Sequence, residues 1–363
     1  MSAACPFCTA LGPTLCQLRE QAAVVALAEV DSSPAARPSR LKLHRVIVGA
    51  DRLKAQDFLE ITLENAAGPG NLLLVFGNGA ATASASDLAW NVVAVNEASY
   101  AYFARAPSLK TPAAERLRYF APFLEHREPL VAEDAYLEFG HAPFDQVAGV
   151  ADSLSMARLR DWLRDPHVKP ERKGFYGLAL GLGTSGNERT VNAEFLRQLI
   201  QAPEDDFRAG FDGMLGGYLL LAGGKGLELV DARYLANPRA ADGDVRHAMT
   251  ALRFYHEYGH EIPLDRLQQA MRHLLVRSEF AAAAITDLAR WKDWGALAQI
   301  VDLYPRAGHG QPAIRRAIVG YLLTCPETAA VKALARLRQL DPEGIAAAEQ
   351  TLSRASGVPP GQE

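Results

Sequence analysis

The chain has 363 residues, of which 49% are hydrophobic and 22% charged, the balance of a globular protein with material for more than one core. A formal net charge of −4 with no long basic run argues against nucleic-acid binding, because phosphate neutralisation needs clustered Lys and Arg. No apolar stretch approaches the roughly 20 residues that span a bilayer; the longest, Met214 to Ala222, is short and interrupted by glycine.

Four cysteines are present, and three crowd the amino terminus: Cys5, Cys8 and Cys16. Met1-Ser2-Ala3-Ala4 offers no charged or apolar leader, so the literal reading is cytoplasmic. Ala3-Ala4 before Cys5 nevertheless looks like the small-residue end of a processed signal, and a terminal cysteine cluster suits an oxidising compartment. The expectation is a mature exported chain, with a structural disulfide between two of Cys5, Cys8 and Cys16. Cys325, at an apolar helix end before Pro326, is expected to be a buried free thiol.

In chain order, Thr14 reads as the N-cap of a short helix to Glu20. Val24–Val30 is a compact β-branched run, and Leu41, Leu43 and Val46–Val48 mark a second strand. Leu59, Ile61 and Leu63 alternate with Glu60, Thr62 and Glu64, the pattern of a half-buried strand. Leu72–Phe76 and Trp90–Val95 complete five strands, which predicts a small closed or partly closed barrel over residues 1–106. Asn96 caps a helix to about Arg105, and Pro107 to Pro112 reads as a linker.

Beyond it the apolar period becomes helical. Leu117, Phe120, Phe123 and Leu124 share a face, as do Leu154, Leu159, Trp162 and Leu163. Further helices are expected at Val191–Ile200, Phe207–Leu221, Leu227–Leu235, Val245–Tyr258, Leu264–Val276, Phe280–Trp291, Leu297–Leu303, Ile314–Leu323, Ala329–Leu340 and Gly344–Leu352. Pro166, Pro203, Pro238, Pro305 and Pro342 fall 37, 35, 67 and 37 residues apart. A unit near that length with two helices predicts a HEAT-like α-helical repeat solenoid over 112–355. Residues 356–363, rich in Pro and Gly, read as a disordered tail.

Cys5-Pro6-Phe7-Cys8-Thr9-Ala10-Leu11-Gly12-Pro13-Thr14-Leu15, Tyr119-Phe120-Ala121-Pro122-Phe123-Leu124-Glu125-His126, Glu133-Asp134-Ala135-Tyr136 and Leu288-Ala289-Arg290-Trp291-Lys292-Asp293-Trp294 carry a resemblance. They are similar to segments of a family of exported bacterial proteins frequent in Planctomycetes, over most of the chain. The resemblance implies an export signal and a netrin-like or oligonucleotide-binding-like barrel followed by HEAT-like repeats. It brings no assigned activity.

His256-Glu257-Tyr258-Gly259-His260 matches HExxH. On a continuous helix both imidazoles would share a zinc ion, with Glu257 as the water-activating base and Glu279 as third ligand of a gluzincin-like hydrolase. Gly259 and Pro263 instead read as the end of that helix, and Ser278 as the N-cap of the next one. Cys5-Pro6-Phe7-Cys8 is a CxxC pair, the basis of a thiol-disulfide alternative.

Gly181-Leu182-Gly183-Thr184-Ser185-Gly186 matches GxGxxG without the βαβ unit a dinucleotide needs, and Gly223-Gly224-Lys225-Gly226 reads as an inter-helix turn. Trp291, Trp294, Phe254, Tyr255 and Tyr304 are expected between repeats. His126, His141 and His167 are isolated, and Asp205-Asp206 and Glu133-Asp134 are taken as solvated helix-start carboxylates. The reading is of a non-enzymatic exported interaction protein that binds a protein or peptide on its helical surface, with no cofactor. Its alternatives are the zinc hydrolase and the thiol-disulfide protein.

Overall fold

The computed structural model describes residues 5, 7–8, 12–31, 39–53, 58–62, 68–80, 87–202, 208–305 and 310–356. The chain divides into two compact units, Met1–Ser155 with Pro166–Phe175, and Met156–Asp165 with Tyr176–Glu363.

The first unit opens with helix α1 (Leu15–Gln21), whose N-cap Thr14 exchanges hydrogen bonds with Gln17 in a capping box. Five strands follow: β1 (Val24–Val30), β2 (Ser39–Val48), β3 (Phe58–Ile61), β4 (Leu72–Asn78) and β5 (Ala89–Val95). They pair antiparallel in the order β3-β2-β1-β4-β5. The sheet is a curled half-barrel. Its edges β3 and β5 have no partner strand among the described residues, so the closed form of the expected barrel is not made. Central β1 is buried on both faces, which explains an apolar run that only Glu29 interrupts. Val24, Ala26, Ala28 and Val30 join Leu41, Leu59, Ile61, Leu73 and Val75 in one core cluster. Phe76 meets Phe103 edge to face at 6.0 Å, and Phe103 belongs to α2 (Glu97–Arg105), capped by Asn96.

The same unit continues through α3 (Ala113–Phe120), α4 (Pro129–His141) and α5 (Phe144–Ala148). The expected boundary at 107–112 therefore falls inside it. The Pro107 carbonyl accepts from Arg19 Nη2 at 2.8 Å and from Cys16 Sγ at 3.4 Å, and the Tyr119 hydroxyl donates to the Tyr102 carbonyl at 2.8 Å. Proline composition resists helix and ladder, and here a carbonyl acceptor ties the segment down all the same. Only a helix start at Glu133-Asp134 was expected here; α4 begins earlier, at Pro129, without a side-chain cap.

The remaining elements are α6 (Met156–Arg164), α7 (Pro170–Leu180), α8 (Glu188–Gln201), α9 (Phe211–Val230), α10 (Asp242–Tyr258), α11 (Leu264–Arg272), α12 (Ser278–Arg290), α13 (Leu297–Val301), α14 (Pro312–Thr324), α15 (Thr328–Leu340) and α16 (Pro342–Ser356). In the second unit α8 packs on α9 and α9 on α10, then α12 packs on α14 and α14 on α16, with α15 against both α14 and α16. Ser278 is the first residue of α12 and Arg277 occupies the cap, one position earlier than expected. The two helices expected at Phe207–Leu221 and Leu227–Leu235 form one kinked rod, α9. It leaves helical geometry only at Gly223 (φ 53°, ψ −132°) and passes into a π-helical turn at Asp231–Leu235. Of the expected tail, Ser356 ends α16 and the rest lies outside the described residues.

Candidate functional site

His256 lies in the last turn of α10 with its ring stacked on the Trp291 indole, centroids 4.6 Å and planes 8° apart. Burial holds its imidazole below the ordinary histidine range, against the opposing pull of Asp287 and Glu257. Helix α10 ends at Tyr258, and Gly259 is extended (φ −90°, ψ 151°). A Cβ at Gly259 would stand 2.5 Å from the Tyr255 ring, and the Tyr255 hydroxyl accepts the amides of Glu261 (3.1 Å) and Ile262 (3.2 Å). The chain thus turns off the helix before His260, and Glu279 sits in the first turn of α12. Among the described residues no three His, Cys, Asp or Glu side chains gather as a metal-ligand set.

Cys5 and Cys8 are joined by a disulfide, with Cα atoms 5.4 Å apart. Their segment docks through the Cys5 amide on the Gly140 carbonyl at 3.2 Å, near the end of α4. His141 Nε2 bonds the Gly12 carbonyl at 2.8 Å. Cys16 and Cys325 are buried free thiols. Burial, then Glu138, pushes the Cys16 thiol up to about 12. Mapping without reductant is expected to recover Cys5 linked to Cys8, with Cys16 and Cys325 alkylated at pH 8 only after unfolding. Rapid native alkylation of Cys16 would contradict this, because the thiolate is the reacting species.

The glycines of Gly181 to Gly186 serve backbone geometry. A Cβ at Gly181 would meet the Gly217 Cα at 2.6 Å, one at Gly183 would meet Asn192 at 2.6 Å, and Gly186 has φ +55°. Gly223 is the kink of α9, and Gly224 to Gly226 continue as helix, not as the expected inter-helix turn. Phe254, Tyr255, Trp291 and Tyr304 are buried, and Trp294 packs edge to face on Tyr321 at 5.4 Å. Asp205 and Asp206 lie outside the described residues.

Two openings mark the second unit. The first is a groove of about 490 Å³ between α12, α14 and α16, lined by Ala282, Ala283, Thr286, Ala289, Ala313, Ala317, Gly320 and Leu352, with Arg290 and Arg316 at its margin. Among the described residues no carboxylate lines it. Thr286 and Thr324 return their hydroxyls to the carbonyls of Ala282 and Gly320, which leaves the wall apolar.

The second is a cavity of about 580 Å³ beside the π-helical turn, lined by Leu235, Leu275, Val276, Leu303, Gln269, Gln299, Arg272, His273, Arg277 and Asp302 among others. Its basic side chains each meet a carboxylate of the same unit: Arg272 meets Asp293, His273 meets Asp231 at 3.3 Å, and Arg277 meets Asp242. Burial raises the Asp231 carboxyl, opposed by His273 and Arg266. Arg316, at the groove, has no ion-pair partner among the described residues. No family model and no curated protein matches this chain.

Sequence reasoning missed the polar cluster under α1. Asp134 is 2% exposed, not a solvated helix-start carboxylate. It accepts the Leu15 amide at 2.6 Å and the Tyr102 hydroxyl at 2.8 Å. One turn on, Glu138 is 1% exposed and pairs with Arg116 at 2.5 Å. The available signal was a pair of carboxylates four residues apart on the stripe that carries Val131 and Ala135.

Proposed function

We propose that the protein is a non-enzymatic, exported interaction protein of the bacterial family its motifs resemble, and that its helical region holds a segment of a protein partner. The observation that carries this reading is the groove between α12, α14 and α16, open, apolar and flanked by Arg290 and Arg316 with no acid in its lining. Small side chains on two packed helices let a third helix approach closely, the helix-in-groove mode of recognition. The uncompensated arginine at the margin favours an acidic flank on that helix. HEAT-like stacking accounts for such a groove, since every second helix contributes one wall. The Cys5–Cys8 disulfide accords with an oxidising compartment.

The test is fluorescence anisotropy with a panel of labelled amphipathic helical peptides, acidic and basic. Acidic members are expected to bind in salt-dependent fashion. Ala317→Trp, which fills the groove, should weaken them at least about tenfold, or about 1.4 kcal/mol. Arg316→Glu should favour the basic members. No saturable binding, or equal binding by Ala317→Trp, would overturn the reading.

A further inference from the structure

A cavity of about 190 Å³ lies in the first unit, lined by Arg19 of α1, Arg45, Val46 and Ile47 of β2, and Tyr100, Phe103 and Ala104 of α2. Its charge differs in kind from that of the larger cavity beside the π-helical turn. Arg19 is partly buried and answered only by main-chain oxygens and a thiol. Its Nη1 donates to the Ala106 carbonyl at 3.1 Å, and its Nη2 to the Pro107 carbonyl at 2.8 Å and to Cys16 Sγ at 3.8 Å. These contacts hold the guanidinium in place over the Phe103 ring, 5.6 Å from its centroid, without neutralising it. Arg45 has neither an ion pair nor a side-chain hydrogen bond among the described residues. Among the described residues no carboxylate lines the cavity, and the buried Tyr100 hydroxyl has no hydrogen-bond partner.

Neither guanidinium makes an ion pair among the described residues, Asp134 acting on Arg19 only at longer range, and a buried hydroxyl left unpaired costs roughly 1–3 kcal/mol. One anion relieves both. We propose that this cavity binds a small carboxylate, gripped by Arg19 and Arg45, with the Tyr100 hydroxyl donating to it and a short apolar tail set against Val46, Ile47 and Phe103. The planar fork of a guanidinium matches a carboxylate. At about 30 Å³ per water the space equals roughly six waters, enough for a short acid or for the last residue of a peptide chain. The apolar walls favour such a ligand over inorganic phosphate, which would leave them wet. The site belongs to the half-barrel unit and is independent of the groove proposed above.

Titration calorimetry on the full chain at fixed ionic strength tests it, with acetate, propionate, butyrate and inorganic phosphate as probes. A short peptide with a free or an amidated carboxyl terminus separates a free acid from a chain end. Saturable binding that tightens from acetate to propionate is expected. Arg45→Gln should weaken it at least about tenfold, as loss of a charge-assisted contact does, and Arg45→Lys only in part. Arg45 is exposed and ties down no other side chain, so an unchanged melting temperature in these variants shows the fold intact. Tyr100→Phe should weaken binding a few fold. No saturable binding, tighter binding of phosphate than of propionate, or undiminished binding by Arg45→Gln would each overturn the assignment.

Discussion

Replacing Asp134 with alanine is expected to destabilise the first unit by about 3 kcal/mol, since two buried donors lose their acceptor at once. These are the Leu15 amide and the Tyr102 hydroxyl, which the two carboxylate oxygens accept at 2.6 and 2.8 Å. The first starts α1 and the second anchors α2, so the loss falls on both helices beside the sheet. Hydrogen exchange of the segments at 15–21 and 97–105 in the full chain reads the effect. Protection unchanged in Asp134→Ala would refute it. The isosteric Asp134→Asn keeps an acceptor for the amide and offers Tyr102 a donor, so it should be far milder.

The two variants also separate by pH. Burial pushes the Asp134 carboxyl up to about 6 from 3.8, against the pull of its hydrogen bonds to Leu15 and Tyr102. Between those values the folded chain binds more protons than the unfolded chain. Stability contributed at this site is therefore greatest below 3.8 and falls as pH rises to about 6. Above it the ionised carboxylate carries a penalty of roughly 3 kcal/mol. Asp134→Asn does not titrate, so its stability relative to the native chain should rise from pH 4.5 to 7.5. A constant difference across that range would show that Asp134 titrates normally.

The strands were legible because each is short, apolar and bounded by turn residues. Val24–Val30 was read to the residue, and β2 was read short only at its start. Caps were legible for the same local reason, Thr14 and Asn96 each being a polar side chain three residues before its partner. What failed was non-local. Pro107 reads as linker until Arg19 arrives from 88 positions away. The start of α4 was misplaced at Glu133-Asp134 because Asp134 and Glu138 interrupt its apolar stripe, and only the three-dimensional neighbours Leu15, Tyr102 and Arg116 make their burial tolerable. The end of α10 was legible in Gly259 and Pro263. The groove was not, because alanines and a glycine from α12 and α14, with Leu352 of α16, carry no chemical signature until they are side by side.

Gly217→Ala is expected to destabilise the second unit by about 3 kcal/mol or more, at the upper end for overpacking. A methyl there would be driven into the Gly177 carbonyl, a backbone atom that no rotamer change can move aside. Gly177 is also tight, since its own Cβ would stand 2.7 Å from the Met214 Cα and amide nitrogen. A Cβ on Gly181, the first glycine of the GxGxxG match, would stand 2.6 Å from the Gly217 Cα. Glycines four apart on one segment thus let it touch α9 backbone to backbone, and any side chain at the crossing must push the two apart. Gly224 is the control, because a Cβ there meets nothing within 4 Å. Gly224→Ala should be neutral or stabilising by up to about 1 kcal/mol, the helix propensity difference. Urea unfolding of both variants, followed by hydrogen exchange in 176–230, checks the pair. A Gly217→Ala protein as stable as Gly224→Ala would mean that the crossing is loose and that these glycines serve something other than packing.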